Sequence, residues 1–201
     1  STPFVPIQSI GKEEITWEAH TSLEKYIEFY SGRGAGFFWV VMSMLYEPKV
    51  IVEFGTACGF ATNLLAKMNP QAIIYSIDHS KTAGTADRET GIIAKSNKNV
   101  KLVIGNSQEF HCSDVDLCFI DSDHRKGAVL SDSHMAWKNR NVDRDWCIVW
   151  DDYTWSSVKE AVDCFVSKMK DHIPFIGRTG PYLHIGTKEL NVNPKQERKE
   201  S

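Results

Sequence analysis

From Lys49 onward, short β-branched runs alternate with helical stretches, and this alternation leaves few folds open. Strands are expected at 50–53, 72–77, 100–104, 115–120 and 146–150. Helices are expected at 59–68, 87–97, 126–139 and 156–170, with a short helical turn after the third strand. Continuously apolar strands joined by helices imply a parallel sheet covered on both faces. The carboxyl end breaks the pattern. Residues 174–176 and 182–185 flank a Gly-Arg-Thr-Gly-Pro turn, which reads as an antiparallel hairpin. The expected architecture is therefore α/β: five parallel β-α units plus the hairpin, a seven-stranded mixed sheet.

Two further helices, 13–29 and 36–46, precede the sheet. In the first, Ile15, Ala19, Leu23, Tyr26 and Ile27 recur at helical spacing. They are read as a cap over the carboxyl edge of the sheet, so that 1–48 and the core 49–187 form one domain. The tail 188–201 (KELNVNPKQERKES) lacks core formers and is expected to fray.

Composition narrows the function. A net charge of −3 argues against gripping a phosphate backbone, so no nucleic-acid partner is expected. The longest apolar run, 37–45, is about half the ~20 residues that span a bilayer. No basic segment leads into an apolar one at the amino terminus. Five cysteines, an odd number without a CxxC, read as free thiols of a reducing compartment. A cytoplasmic protein without membrane attachment is expected. Exposed aromatic faces in the leading helices would suit a homodimer.

In a sheet of this kind ligands bind where the strands end. The first exit is Glu53-Phe-Gly55-Thr56-Ala57-Cys-Gly59. Its glycines permit a sharp turn and a close approach, and its N–H groups face the same space as the following helix terminus. The spacing is neither GxGxxG nor a phosphate loop, so a pyrophosphate cofactor is disfavoured. A ligand with a carboxylate and an ammonium fits better, the N–H groups taking the anion and Glu53 the cation. The second exit, Ile77-Asp78-His79, offers a carboxylate for two ribose hydroxyls. The third, Gly105-Asn-Ser107-Gln108-Glu109, offers small and amide groups for a nucleobase edge. The fourth and fifth, Asp121-Ser-Asp123-His124 and Asp151-Asp152-Tyr153, bring carboxylates and a histidine together. Such a cluster is costly unless protons or a cation neutralise it. Hard oxygens favour Mg²⁺, with Ca²⁺ or Mn²⁺ as alternatives.

These residues resemble a class I, Rossmann-like S-adenosylmethionine-dependent methyltransferase. The likeness runs over 31–185 and is strongest to small metal-dependent O-methyltransferases of the catechol, cephalosporin-biosynthesis and macrocin types. The resemblance implies that Glu53, Gly55, Thr56, Ala57 and Gly59 hold the methionine part of the cofactor, Asp78 and His79 its ribose side, and Ser107 and Gln108 its adenine side. Gly34, in Ser31-Gly-Arg33-Gly34, falls in the segment that closes over the cofactor. Asp121, also facing the cofactor, Asp151 and Asp152 fall where such enzymes hold a divalent metal. The catechol type carries Asp-Asn at the last pair, where this chain has Asp-Asp. The family's catalytic lysine is replaced by His124, which suits a general base near neutral pH.

The implied reaction is O-methylation of a small hydroxylated acceptor: a phenol, sugar or polyketide-like molecule. Tyr153 and Trp155 are expected to wall the acceptor pocket, with Trp17, Phe37, Phe38 and Trp39 nearby, while Trp137 and Trp146 belong to the core. Alternatives are a metal-independent or N-directed methyltransferase, a catalytically silent cofactor-binding homologue, and a nucleotide-dependent dehydrogenase, which the missing GxGxxG disfavours.

Overall fold

The computed structural model describes residues 37–82 and 89–189. The expected helix 13–29, Trp17 and Gly34 lie outside the described residues, as does the tail from 190.

Helix α1 (Phe37–Tyr46) leads into strand β1 (Val50–Phe54), helix α2 (Phe60–Met68) and strands β2 (Ile73–Asp78) and β3 (Val100–Ile104). Then come β4 (Leu117–Ile120), α3 (Lys126–Asn139), β5 (Cys147–Trp150), α4 (Ser156–Met169), β6 (Phe175–Thr179) and β7 (Tyr182–Gly186). Seven strands form one sheet in the order β3-β2-β1-β4-β5-β7-β6. The first five are parallel, and β7 runs antiparallel to both β5 and β6. This is the expected Rossmann-like mixed sheet with its terminal hairpin.

Burial follows position in the sheet. Every residue of β4 and β5 is buried, because helices cover both faces. Alternate side chains serve opposite layers. Val52, Phe54, Ile148 and Trp150 pack with Val129, Ala136, Val162 and Phe165 of α3 and α4. Ile51, Leu117, Phe119 and Val149 pack with Phe38, Trp39, Met42 and Leu65 of α1 and α2. At the edge, β3 is only half-buried. Trp146 is buried and Trp137 packs against the same core, as expected. No helix among the described residues is long and apolar enough to cross a membrane.

Four segments differ from expectation. Gly177, Arg178 and Thr179, expected in the hairpin turn, belong to β6 and pair with β7, which leaves Gly180-Pro181 as the turn. The expected helix 87–97 is a series of turns where it is described, from Thr90 to Ser96. Its amides are used elsewhere: Gly91 N–H donates to Ala57 O and Ile93 N–H to Cys58 O, at 2.9 and 3.1 Å. Gly91 also has φ +71°, outside the helical region. The segment therefore braces the loop after β1 instead of building an i→i−4 ladder. The fourth strand starts at Leu117, and Val115 makes only an isolated bridge to Arg140. Lys188, which opens the tail, is anchored: its N–H donates to Tyr46 Oη at 3.1 Å and its ammonium to Leu45 O at 3.0 Å.

The chain runs outward from β1 to β2 and β3, then returns to place β4 on the other side of β1. The loops after β1 and β4 thus leave in divergent directions and open a crevice at the carboxyl ends of the strands.

Candidate active site

A cavity of about 1030 Å³ fills that crevice. Of the residues expected to hold a ligand, Glu53, Gly55, Thr56, Ala57, Asp78, His79, Ser107, Gln108, Asp121, His124 and Asp151 all line it.

The loop after β1 can form only because residue 55 is glycine. Gly55 has φ +100°, and its N–H donates to Ile77 O at 2.8 Å. A Cβ there would stand 1.9 Å from the carbonyl oxygen of Asp121. The loops after β1 and β4 are therefore in backbone contact. Gly59 has a different part. It caps α2 in the left-handed region at φ +82°, packs on Gly91, and does not line the cavity.

Asp78 is bound to this loop. Its Oδ2 accepts the N–H groups of Thr56 and Ala57, at 3.2 and 3.0 Å, and its Oδ1 accepts Ser80 N–H at 3.1 Å. The carboxylate thus holds the loop as well as facing the cavity. His79 is almost fully exposed beside it, its Nδ1 3.4 Å from Asp78 Oδ1.

Glu53 lies on β1 beneath the loop and is 1% exposed. Its Oε2 accepts the hydroxyls of Thr62 and Ser76. Burial pushes its carboxyl up to about 7, against the opposing pull of those two hydrogen bonds. A cationic ligand group would restore its charge, in keeping with the expected role.

On the β3 side, Asn106 caps a short 3-10 turn, Ser107–Glu109, by accepting Gln108 N–H at 3.0 Å. Ser107 donates to Asp132 Oδ1 at 2.5 Å, and Ser122 donates to Asp132 Oδ2. Asp132 is buried in the wall and joins the loops after β3 and β4 to α3; burial raises its pKa. Sequence reasoning missed it. A signal was available, because Val129, Asp132, Ser133, Ala136 and Asn139 share the buried stripe of α3.

The acidic end is more compact than the sequence implies. Asp121, His124 and Asp152 each place one ligand atom within 4.8 Å of the other two. His124 Nε2 lies 3.2 Å from Asp152 Oδ2 and 4.0 Å from Asp121 Oδ1. Asp151, expected as a third metal ligand, lines the cavity but stands outside this group, and its Oδ1 accepts Asp152 N–H at 2.6 Å. Asp123 is taken up by Arg125, which holds its carboxyl below the usual range. Burial, then Asp151, Glu53 and Asp152, push Asp121 well upward, and burial pushes Asp151 up to about 6. Raised carboxyls at one spot mark a place that welcomes a proton or a cation.

The aromatic expectations divide. Trp39 lines the cavity, stacks on Phe119 at 4.2 Å, and has a buried Nε1 without a partner among the described residues. Trp155 is exposed and lies 4.8 Å from the His124 ring. Tyr153 does not wall the cavity: it packs in the core and donates its hydroxyl to Asp163 at 2.6 Å. Tyr182, which the sequence left unassigned, stacks on Phe38 and feels the charges of Asp151, Asp121 and Asp152.

A family model described as a methyltransferase domain matches residues 52–153, just over half of the chain. The chain belongs to the methyltransferase domain family. Family and sheet order together make it a class I, S-adenosylmethionine-dependent methyltransferase. Solved methyltransferases share the fold. An O-methyltransferase from Bacillus cereus in complex with SAH is 16% identical, with TM-score 0.60, over 81% of this chain and 89% of its own. The O-methyltransferase TomG from Streptomyces achromogenes, in complex with SAM and involved in tomaymycin synthesis, is 14% identical, with TM-score 0.61, over 88% and 92%. The SAH-bound Podospora anserina methyltransferase PaMTH1 is 16% identical, with TM-score 0.60, over 75% and 76%. A search of curated proteins returned no sequence match.

Proposed function

We propose that this methyltransferase moves a methyl group from S-adenosylmethionine to a hydroxyl of a small acceptor, assisted by a divalent cation. The observation that carries the reading is a single cavity lined at one side by the loops after β1, β2 and β3 and at the other by Asp121, His124 and Asp151.

The donor supplies a methyl group already activated on a sulfonium. The loop of Gly55, Thr56 and Ala57, whose own N–H groups are held by Ile77 O and Asp78, borders the methionine end of the donor, and Glu53 would meet its ammonium. Asp78 faces the ribose hydroxyls and Ser107 and Gln108 the base. Holding donor and acceptor in line is the main task of the protein, and good alignment supplies ~7–11 kcal/mol. A divalent cation would orient the acceptor oxygen and ease its deprotonation. The donor set suits one: two carboxylate oxygens and an imidazole nitrogen lie within 4.8 Å of one another. Asp151, which lines the cavity beside this donor set, would take the acceptor proton. No disulfide joins any of the five cysteines among the described residues, which suits a cytoplasmic site of action.

Calorimetry with S-adenosylhomocysteine tests the donor site. Labelled methyl transfer to a panel of phenols and sugars, with and without EDTA, tests the acceptor and the cation. Labelling of hydroxyl acceptors that EDTA abolishes supports the reading. Labelling confined to amines, or unaffected by EDTA, overturns it.

A further inference from the structure

We propose that His124 is a direct ligand of the cation, and that the site prefers a borderline transition ion such as Mn²⁺ or Co²⁺ over Mg²⁺. The proposal rests on the metal-assisted reading above and deepens it. It also gives His124 a ligand's role in place of the general-base role that its sequence position suggests.

The argument begins with an atom that lacks a use. His124 Nε2 is buried and makes no hydrogen bond among the described residues. Asp152 Oδ2 is only 3.2 Å away and Asp121 Oδ1 4.0 Å away, yet neither contact has hydrogen-bond geometry. A buried imidazole nitrogen left so costs free energy that the fold does not otherwise recover. Two ligands of one ion show this pattern, close together and aimed at a common point instead of at each other. With bonds of about 2.1 Å, ligand atoms stand roughly 3.0 Å apart when adjacent and roughly 4.2 Å when opposite. The two observed separations fall within that span.

The fold supports the placement. Asp121 and His124 come from the loop after β4 and Asp152 from the loop after β5, which are neighbouring parallel strands. The Trp155 ring lies 4.8 Å from the imidazole, tilted 36° to it. Asp151, by contrast, has one oxygen occupied by the Asp152 N–H, which leaves it less free to join the set.

Donor chemistry then sets the ion. Mg²⁺ favours oxygen ligands, whereas imidazole suits ions later in the first transition row. Replacing one oxygen donor by Nε2 biases the site away from Mg²⁺. Zinc in a closed structural site is not implied, because the group borders an open cavity and contains no cysteine.

The test uses the full chain, stripped with a chelator and titrated with Mg²⁺, Mn²⁺ or Co²⁺ by calorimetry. Pulsed electron paramagnetic resonance of the Mn²⁺-loaded chain reports whether a nitrogen is bound. Mn²⁺ and Co²⁺ are expected to bind more tightly than Mg²⁺, with one imidazole nitrogen coupled to Mn²⁺. His124→Gln should lower Co²⁺ affinity by at least about 10-fold, the lower end of what losing even an outer-shell partner costs, remove the nitrogen coupling, and change Mg²⁺ affinity much less. Retained binding of S-adenosylhomocysteine by the variant shows that it is folded. No nitrogen coupling in the native chain, or equal losses for Co²⁺ and Mg²⁺ in the variant, overturns the His124 assignment while the metal-assisted reading stands. Failure to bind any of the three ions, with S-adenosylhomocysteine still bound, overturns both.

Discussion

A Cβ on Gly55 would lie 1.9 Å from the carbonyl oxygen of Asp121, so the donor loop and the loop that starts the acidic group share one van der Waals boundary. Gly55→Ala should therefore damage both ends of the cavity. The clash is with backbone, which cannot swing aside, and φ +100° adds strain for any side chain. We expect a loss of roughly 3 kcal/mol or more in urea denaturation, and S-adenosylhomocysteine binding too weak for calorimetry. Near-native stability would mean that the two loops separate at little cost.

Asp78→Ala removes the acceptor for the N–H groups of Thr56, Ala57 and Ser80 as well as the carboxylate that we propose faces the donor's ribose. Hydrogen bonds to a charged partner contribute about 1.5–3 kcal/mol each. Donor affinity should fall by about 2–3 kcal/mol, read by calorimetry, with a loss of stability at least as large because the loop N–H groups lose their charged acceptor. An unchanged affinity would remove Asp78 from the donor site.

Asp132→Asn tests the wall that the sequence did not disclose. Ser107 and Ser122 both donate to this buried carboxylate. An amide presents one acceptor oxygen and one NH2 donor, so one hydroxyl must turn to accept in place of donating, and both bonds lose their charged acceptor. A cost of about 1–3 kcal/mol is expected, together with weaker binding of S-adenosylhomocysteine. Unaltered donor affinity would limit Asp132 to a structural part.

Glu53 and His184 should give opposite pH dependences. Burial lowers the His184 pKa from 6.5 to about 4, and neither ring nitrogen has a partner among the described residues. A depressed pKa means that its contribution is whole above 6.5 and is lost as pH falls toward 4. The slope is at most about 1.4 kcal/mol per pH unit. His184→Gln should flatten that acid limb in denaturation measured against pH. Glu53 is raised from 4.5 to about 7, so its contribution is whole below 4.5 and is lost as pH rises through 7. Glu53→Gln should gain stability relative to the native chain over that interval while binding the donor less tightly. If the difference between either variant and the native chain does not vary with pH, the corresponding assignment fails.

Much of this arrangement can be read along the chain. The five parallel strands were legible because buried strands are written as continuous apolar runs, and the hairpin because a Gly- and Pro-bearing turn separates two such runs. That residues from the strand exits would line one cavity was legible because each exit is a fixed place in such a sheet. The segment after His79 was misread because its composition suits a helix, while its amides are spent on Ala57 and Cys58, contacts that no local pattern encodes. Asp151 and Asp152 are adjacent in sequence, yet it is Asp152, at φ +51°, whose carboxylate comes within 3.2 Å of His124.

Sequence by itself determined the sheet, its order of exits and the kinds of groups at its rim, since those depend on side-chain period and turn chemistry, which are local. Tertiary structure decided which of those groups meet. It seated Asp132 between two loops, sent Tyr153 into the core and gathered Asp121, His124 and Asp152 around one point. The physical reason is that side-chain direction at a loop depends on backbone angles and on packing from distant strands, and neither is written in the residues nearby.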